Sequence, residues 1–89
     1  MKHIVSYSEY ARDNLKKIGA KESKRIADKL DYYCTLSNPF VEASSLSGEY
    51  AGLYRFRIGK YRVIFSKNVK EEFIILYILK VGKRGEVYD

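Results

Sequence analysis

Basic side chains recur at alternating positions in the middle of the chain and cluster again near residue 84. Arg55, Arg57 and Arg62 alternate with aromatic and aliphatic residues, and Lys83 and Arg84 follow further along. A guanidinium group stays charged at physiological pH, and its planar set of donors matches the oxygens of a phosphate. The pattern therefore favours an anionic ligand, although a basic sheet face in contact with water explains it equally well.

The sequence contains few candidate residues for other kinds of reactive site. His3 is the only histidine and Cys34 the only cysteine, so we expect no metal ion, no cofactor and no histidine-assisted nucleophile. Residues 82–85 lack the spacing of a phosphate-binding glycine loop. The remaining arginine, lysine and tyrosine side chains suit phosphodiester chemistry on RNA. There the ribose 2′-hydroxyl is the nucleophile, and the protein positions it, moves protons and stabilises the phosphate.

The charge of the chain also argues for an acidic partner. The formal net charge is +6, and residues 53–84 hold nine Lys or Arg against two Glu, so the basic surface is assigned to the C-terminal half. A length of 89 residues predicts a single domain, residues 1–89. The lone cysteine rules out an internal disulfide. With no apolar run typical of a signal peptide or a membrane span, we expect a soluble, cytoplasmic protein with no membrane partner.

Residues 54–65 are expected to form a β-hairpin that gathers the arginines on one face. Apolar and basic residues alternate on both sides of Gly59-Lys60, and glycine at the first turn position suits a two-residue type II′ turn. Successive strand side chains point to opposite faces, so one face is apolar and the other basic. Two arginines placed opposite each other repel, which again favours an anionic ligand. The expected pairs are Ile58 with Tyr61, Arg57 with Arg62, Phe56 with Val63 and Tyr54 with Phe65.

The N-terminal half predicts a strand followed by a helical hairpin. A short strand is expected at residues 3–7, and Ser8 then caps a helix that Gly19 ends. A second helix is expected from about residue 21 to 36, because the residue before Pro39 disfavours the helical conformation. An apolar stripe on this helix predicts its buried face. The stripe consists of Ile26, Ala27, Leu30, Tyr33 and Cys34.

The remaining segments complete a two-layer fold. Residues 38–49 are predicted as a polar loop and residues 67–72 as a charged turn, whereas the apolar run 73–79 predicts an inner strand. The expected fold class is α+β, with a helical hairpin packed on a small, mostly antiparallel sheet in the order β-α-α-β-β-β. The helices cover the apolar face of the hairpin. The arginines and Ile64 therefore lie on the opposite face, where we expect a partner to cover them.

Two segments of the sequence resemble the RelE/ParE superfamily of bacterial and archaeal toxins. Residues 59–65 match G-x-Y-R-x-x-[YF], and residues 81–88 match V-G-[HK]-R followed by V-Y. The helical hairpin lies in the expected place, so the resemblance covers nearly the whole chain. It implies a RelE-like fold of two helices on a small sheet. For the RelE branch it also implies cleavage of messenger RNA in the ribosomal A site and inhibition by an antitoxin.

By position in these motifs, the resemblance implies catalytic roles for Arg62, Arg84 and Tyr88. In the RelE branch these residues stabilise the phosphate, assist the leaving group, and orient or deprotonate the nucleotide. Arg55 and Arg57 occupy positions that hold lysines in the best-known RelE. Arginine is a poor general base, so proton transfer shifts toward Tyr88 or an unassigned group. The implied RNA-binding residues are Arg55, Arg57, Lys60 and Lys83.

The resemblance thus implies a toxin of a type II toxin–antitoxin system that acts as a ribosome-dependent, metal-independent endoribonuclease, an mRNA interferase. A ParE-type inhibitor of DNA gyrase is the alternative, and a catalytically weak RNA-binding relative is a third. The Arg84 and Tyr88 pattern, which ParE members generally lack, favours the first. The implied partners are mRNA, the ribosome and a cognate acidic antitoxin in a toxin–antitoxin hetero-oligomer.

Overall fold

A helical layer and a five-stranded sheet pack against each other in this protein. The computed structural model describes residues 2–85. Within that range the strands are β1 (Lys2–Tyr7), β2 (Ala43–Ser45), β3 (Leu53–Ile58), β4 (Tyr61–Lys70) and β5 (Phe73–Lys83). The α-helices are α1 (Glu9–Ile18) and α2 (Ala20–Thr35), and 3₁₀ turns occupy Pro39–Glu42 and Gly48–Tyr50.

The sheet has the strand order β1-β5-β4-β3-β2. Strand β1 pairs with β5 in parallel, whereas the other neighbouring strands are antiparallel. The predicted α+β class, a helical hairpin on a mostly antiparallel sheet, is therefore confirmed. The sheet contains one strand, β2, that the sequence did not predict.

The two helices begin and end close to where the sequence predicts. Ser8 is the N-cap of α1, and its Oγ accepts a hydrogen bond from the N–H of Ala11 at 3.0 Å. Gly19 ends α1 with a φ of +106°, a backbone conformation that residues other than glycine rarely adopt. Helix α2 follows directly. No helix of the described chain, residues 2–85, is long and apolar enough to cross a membrane.

The hydrophobic core lies between the helices and the β3–β4 hairpin, as the alternation pattern predicts. The Phe56 ring stacks on both Phe65 and Tyr33, with ring centroids 4.5 Å apart in each pair. Large aromatic rings of this kind contribute most of the buried apolar area in a small domain. The buried core residues are Ala11, Ile26, Leu30, Tyr33, Phe56, Ile58, Tyr61, Val63, Phe65, Leu76, Ile78 and Val81.

Two predictions about the connections are wrong. The loop predicted at residues 38–49 contains β2, which pairs with the Tyr54–Phe56 part of β3. The charged turn predicted at residues 67–72 is reduced to Glu71-Glu72, because β4 continues to Lys70 and that residue still pairs with Phe73. Both segments were predicted as loops or turns because their side chains are polar. Polar residues are nevertheless common in exposed edge strands and at the ends of strands.

The pairing of β4 with β5 contains one irregularity that the sequence did not reveal. Ile64 pairs with Lys80 but the next residue, Phe65, pairs with Ile78, so Leu79 is an extra residue in β5. Such a β-bulge reverses the alternation of side chains beyond it. The predicted inner strand also runs four residues further than its predicted end at Leu79, to Lys83.

Helix α1 holds the bulge on both sides through side-chain hydrogen bonds. The Ser8 hydroxyl donates to the carbonyl of Leu79 at 3.2 Å, and the N–H of Val81 donates to Oδ1 of Asn14 at 2.9 Å. These bonds satisfy backbone groups that a regular ladder would otherwise pair. The course of β5 after Leu79 is therefore fixed by a helix far away in the sequence.

Candidate functional site

The β3–β4 hairpin has the predicted register. Ile58 pairs with Tyr61, Arg57 with Arg62, and Arg55 with Ile64. Gly59 has a φ of +60°, whereas Lys60 is not among the residues with positive φ, as expected for a type II′ turn. Because Phe56, Ile58, Val63 and Phe65 face the helices, the side chains of Arg55, Arg57 and Arg62 belong to the other face of the sheet, which we call the arginine face.

Two of the three arginines on this face are nearly buried, which sequence alternation does not reveal. Arg55 is 8% exposed and Arg62 is 7% exposed, whereas Arg57 and Lys60 are exposed. Nη1 of Arg62 donates to the carbonyls of Gly59 at 3.2 Å and Tyr61 at 3.0 Å. These bonds hold the guanidinium of Arg62 beside the turn. A fixed, partly dehydrated cation interacts more strongly with a phosphate than a freely moving one in water.

The bulge in β5 brings Arg84 to the arginine face. Beyond Leu79, Val81 faces the core, so Gly82 and Arg84 follow on the opposite face, with Gly82 paired to Arg62. The N–H of Arg84 donates to the carbonyl of Lys60 at 3.0 Å, which ties the segment after β5 to the hairpin turn. Without the extra residue, the alternation would direct Arg84 toward the helix side.

Lys83, by the same alternation, lies away from the arginine face. It pairs with the core residue Tyr61 and lines a cleft on the helix side with Asn14 and Lys17. Tyr88, the third residue to which the resemblance assigns a catalytic role, lies outside the described residues. Among residues 2–85, no group of three or more His, Cys, Asp or Glu side chains is arranged to hold a metal ion.

Sequence reasoning missed a small aromatic cleft beside the arginines. It has a volume of about 250 Å³, and Ile64 and Lys80 in its lining belong to the same cross-strand row as Arg55. Tyr10 was the available signal, because this tyrosine of α1 is exposed and does not belong to the core. Lys80 was missed because its direction depends on the bulge. The cleft is lined by Tyr10, Tyr50, Leu53, Ile64, Leu79 and Lys80.

Comparison with known proteins identifies the family. The family model described as "ParE toxin of type II toxin-antitoxin system, parDE" matches residues 5–88. The chain belongs to the ParE toxin family. This match confirms the resemblance to the RelE/ParE superfamily, and the protein is a toxin of a type II toxin–antitoxin system. No curated protein sequence matches this ParE-family toxin significantly.

Solved structures of similar fold carry the RelE name. Archaeal RelE in the RelE–RelB complex from Pyrococcus horikoshii is 26% identical, with a TM-score of 0.68 over 98% of this chain and 100% of that one. A chain of the RelBE2 toxin–antitoxin complex from Mycobacterium tuberculosis is 24% identical, with a TM-score of 0.67 over 94% and 100%. A free mutant of Escherichia coli RelE is 23% identical, with a TM-score of 0.69 over 97% and 87%. The fold of the ParE-family toxin is thus the fold of RelE toxins.

Proposed function

We propose that this toxin is a ribosome-dependent mRNA endoribonuclease that needs no metal ion. The observation that carries the proposal is the position of Arg62 beside the hairpin turn. Its guanidinium is nearly buried and fixed by the carbonyls of Gly59 and Tyr61, and Arg84 follows on the same face. A fixed cation, with a second cation close by, suits a phosphate that gains negative charge in the transition state.

The proposed reaction uses a nucleophile that the substrate carries. The 2′-oxygen attacks the adjacent phosphorus and loses its proton, and the bond from phosphorus to the 5′-oxygen breaks as that oxygen is protonated. The products are a 2′,3′-cyclic phosphate and a 5′-hydroxyl. Arg62 stabilises the pentacoordinate phosphate, and Arg84 stabilises the charge that develops on the leaving oxygen.

The proton acceptor of this reaction is assigned less directly. Arginine does not lose its proton in proteins, so Arg55 and Arg57 bind the strand rather than act as bases. We propose Tyr88 for proton transfer, on the strength of its place in the sequence motif. Lys60 is exposed beside the turn and contributes a further contact to the RNA backbone. The fourth proposed RNA-binding residue is Lys83, which contacts RNA on the helix side of the sheet.

A second candidate function is inhibition of DNA gyrase, favoured by the family model, which is named for ParE. A third, weak RNA binding without cleavage, is favoured by arginines where the best-known RelE has lysines. The first test incubates the purified toxin with translating ribosomes and maps mRNA ends by primer extension, while a parallel reaction measures DNA supercoiling by gyrase. Codon-spaced cleavage with normal supercoiling supports the proposal. Inhibited supercoiling with intact mRNA contradicts it and supports the ParE-type function.

We also propose that an acidic antitoxin covers the arginine face. The P. horikoshii and M. tuberculosis structures are toxin–antitoxin complexes. In this toxin the arginine face combines cations with the apolar side chains of Leu53, Ile64 and Leu79. A mixed surface of this kind suits a partner whose apolar residues supply affinity and whose carboxylates set the register. The cell then contains the toxin as part of a hetero-oligomer that blocks access of mRNA and the ribosome to the site.

A further inference from the structure

A second basic surface lies at the end of the molecule where α1 meets α2 and β3 turns into β4. The largest cleft there has a volume of about 860 Å³. It shares Arg25, Ile58 and Gly59 with a smaller cleft, which in turn shares Tyr61 with a third. The three clefts are therefore neighbours, and we call their combined lining the basic band. Its cationic residues are Lys17, Lys21, Lys24, Arg25, Lys29, Arg57, Lys60 and Lys83.

The basic band carries a charge surplus as large as that of the whole chain. Its eight cations face two acidic residues in the lining, Glu22 and Asp28, which leaves the band six positive charges in excess, and the net charge of the chain is +6. The ion pairs Lys24–Asp28 at 2.8 Å and Arg25–Glu22 at 3.8 Å are largely exposed, so they neutralise the surface only weakly. Five of the eight cations come from the helices. The expectation that the basic surface belongs to the C-terminal half therefore needs correction.

An exposed aromatic ring among these cations favours a nucleic acid over an acidic protein. Tyr32 lines the largest cleft and is 54% exposed, and Nζ of Lys29 lies 5.3 Å from the centroid of its ring. Proteins that bind single strands combine a basic groove with aromatic side chains on which bases stack. Tyr32 therefore adds a surface on which a base can stack beside the cations.

The basic band is continuous with the arginine face. Arg57 lines the largest cleft and also pairs with Arg62 across the hairpin. Strand β2 pairs with β3 only as far as Phe56, so β2 does not cover β3 at Arg57. A strand of RNA leaving the arginine face therefore meets no protein strand as it turns around this edge toward α2.

We propose that the basic band binds a second stretch of RNA phosphate backbone, outside the nucleotides that react. The inference rests on the proposed function in taking RNA as the ligand, but it concerns affinity and not cleavage. It assigns positioning of the RNA to exposed residues of α2, led by Lys21 and Arg25, with Tyr32 supplying a stacking surface.

The test compares two variants that remove the same charge from opposite ends of the sheet. Lys21→Gln/Arg25→Gln changes the basic band, and Lys2→Gln/Lys70→Gln changes exposed residues at the far end. The probe is a short 2′-O-methyl oligoribonucleotide, which cannot be cleaved because its nucleophile is blocked. For the band variant we expect affinity to fall about tenfold at low salt. The slope of log affinity against log salt should fall by about 1.4, because each phosphate contact contributes about 0.7.

The control variant should bind almost as the wild type does. Tyr32→Ala should lower RNA affinity about fivefold or more while leaving weak binding to polyglutamate unchanged. Equal RNA binding by the two double variants overturns the proposal, and so does an equal loss of RNA and polyglutamate binding by Tyr32→Ala. Cleavage on translating ribosomes, measured separately with the wild type, distinguishes failure of this inference from failure of the proposed function.

Discussion

Arg62 combines a permanent charge with an almost buried position. Its exposed fraction is 7%, and the two carbonyls that bind Nη1 belong to the same hairpin turn. Arginine rather than lysine suits such a place, because the guanidinium is weakly hydrated and has several donors in one plane. The fold thus orients this cation before any substrate arrives.

Replacing Arg62 or Arg84 should slow cleavage strongly without unfolding the protein. Arg62→Ala and Arg84→Ala are each expected to lower the cleavage rate about a hundredfold, because losing one fixed charge contact to a transition state costs roughly 3 kcal/mol. Arg62→Lys should recover little, since it keeps the charge but loses the planar donors. Arg12→Ala, an exposed arginine on α1, is the control. Wild-type cleavage by the Arg62/Arg84 double variant with native circular dichroism would refute the site.

Tyr7 is the second residue with an unusual environment. Its hydroxyl is buried and has no hydrogen-bond partner among residues 2–85. Burial, together with the nearby Asp31 and Cys34, raises the pKa of Tyr7 to about 12. The phenol is therefore held neutral in the folded state well beyond the pH at which it ionises in the unfolded chain.

Tyr7→Phe should stabilise the protein, by about 1 kcal/mol at neutral pH, because it removes a buried polar group that has no partner. Above pH 10 the unfolded wild type loses the Tyr7 proton while the folded state keeps it, so the free energy of unfolding of the wild type falls until about pH 12. The variant should lack this contribution. Urea unfolding at pH 7 and pH 11 measures both effects, and Tyr10→Phe at an exposed site is the control. A less stable Tyr7→Phe protein would contradict the assignment.

At the scale of helices and strands, the sequence predicts elements that local chemistry specifies. Ser8 and Gly19 define the limits of α1, and Gly59 sets the hairpin turn and with it the register of the arginines. Strand β2 was missed because Ala-Ser-Ser has little strand preference of its own and is ordered by pairing with β3. The burial of Arg55 and Arg62 was missed because it depends on how segments pack, not on alternation.

The bulge at Leu79 was unpredictable for a different reason. The residues around Leu79 are apolar on both faces, so their pattern does not show whether an extra residue is present. The side chains that fix the bulge, Ser8 and Asn14, belong to α1 and its N-cap. The directions of Lys80, Lys83 and Arg84 follow from the bulge. The arginine face could therefore be predicted from the sequence as far as the hairpin, whereas the contribution of β5 required the tertiary structure.

Asn14 is accordingly expected to matter both for stability and for cleavage. Asn14→Ala leaves the buried N–H of Val81 without its acceptor, which should cost about 1–3 kcal/mol. Since the course of β5 toward Arg84 then loosens, the cleavage rate should fall even where the variant is fully folded. Asn68→Ala, an exposed asparagine in β4, is the control. Unchanged stability and cleavage in Asn14→Ala would show that the bulge keeps its conformation without the hydrogen bond from Val81 to Asn14.

Across the whole molecule, many of the cations lie on two surfaces that touch, the arginine face and the basic band. The arginine face and the basic band meet at Arg57, whereas the helical layer buries its apolar side against the sheet. A single acidic partner on the arginine face would leave much of the band open to RNA. The two proposals therefore predict that mutations can separate binding of antitoxin from binding of RNA.

Binding of an acidic antitoxin should raise the melting temperature of the toxin. At a free antitoxin concentration one hundred times the dissociation constant, the complex gains about 2.7 kcal/mol, which for a domain of this size corresponds to about 10 °C or more. Calorimetry measures the shift, and polyglutamate is the control for charge alone. Hydrogen exchange should slow in β3, β4 and β5. Protection confined to residues 8–36 would mean that the antitoxin does not cover the arginine face.

The pairing of β5 with both β1 and β4 determines how late the arginine face can assemble while the chain is being synthesised. Strand β5 is made after the other four strands of the described chain, yet it lies between β1 and β4 in the sheet. Neither the core nor the arginine face is complete until residues 73–84 have left the ribosome. Such long-range pairing also forms slowly. Synthesis and pairing of β5 therefore control the assembly of two things at once, the proposed RNA site and the surface proposed for the antitoxin.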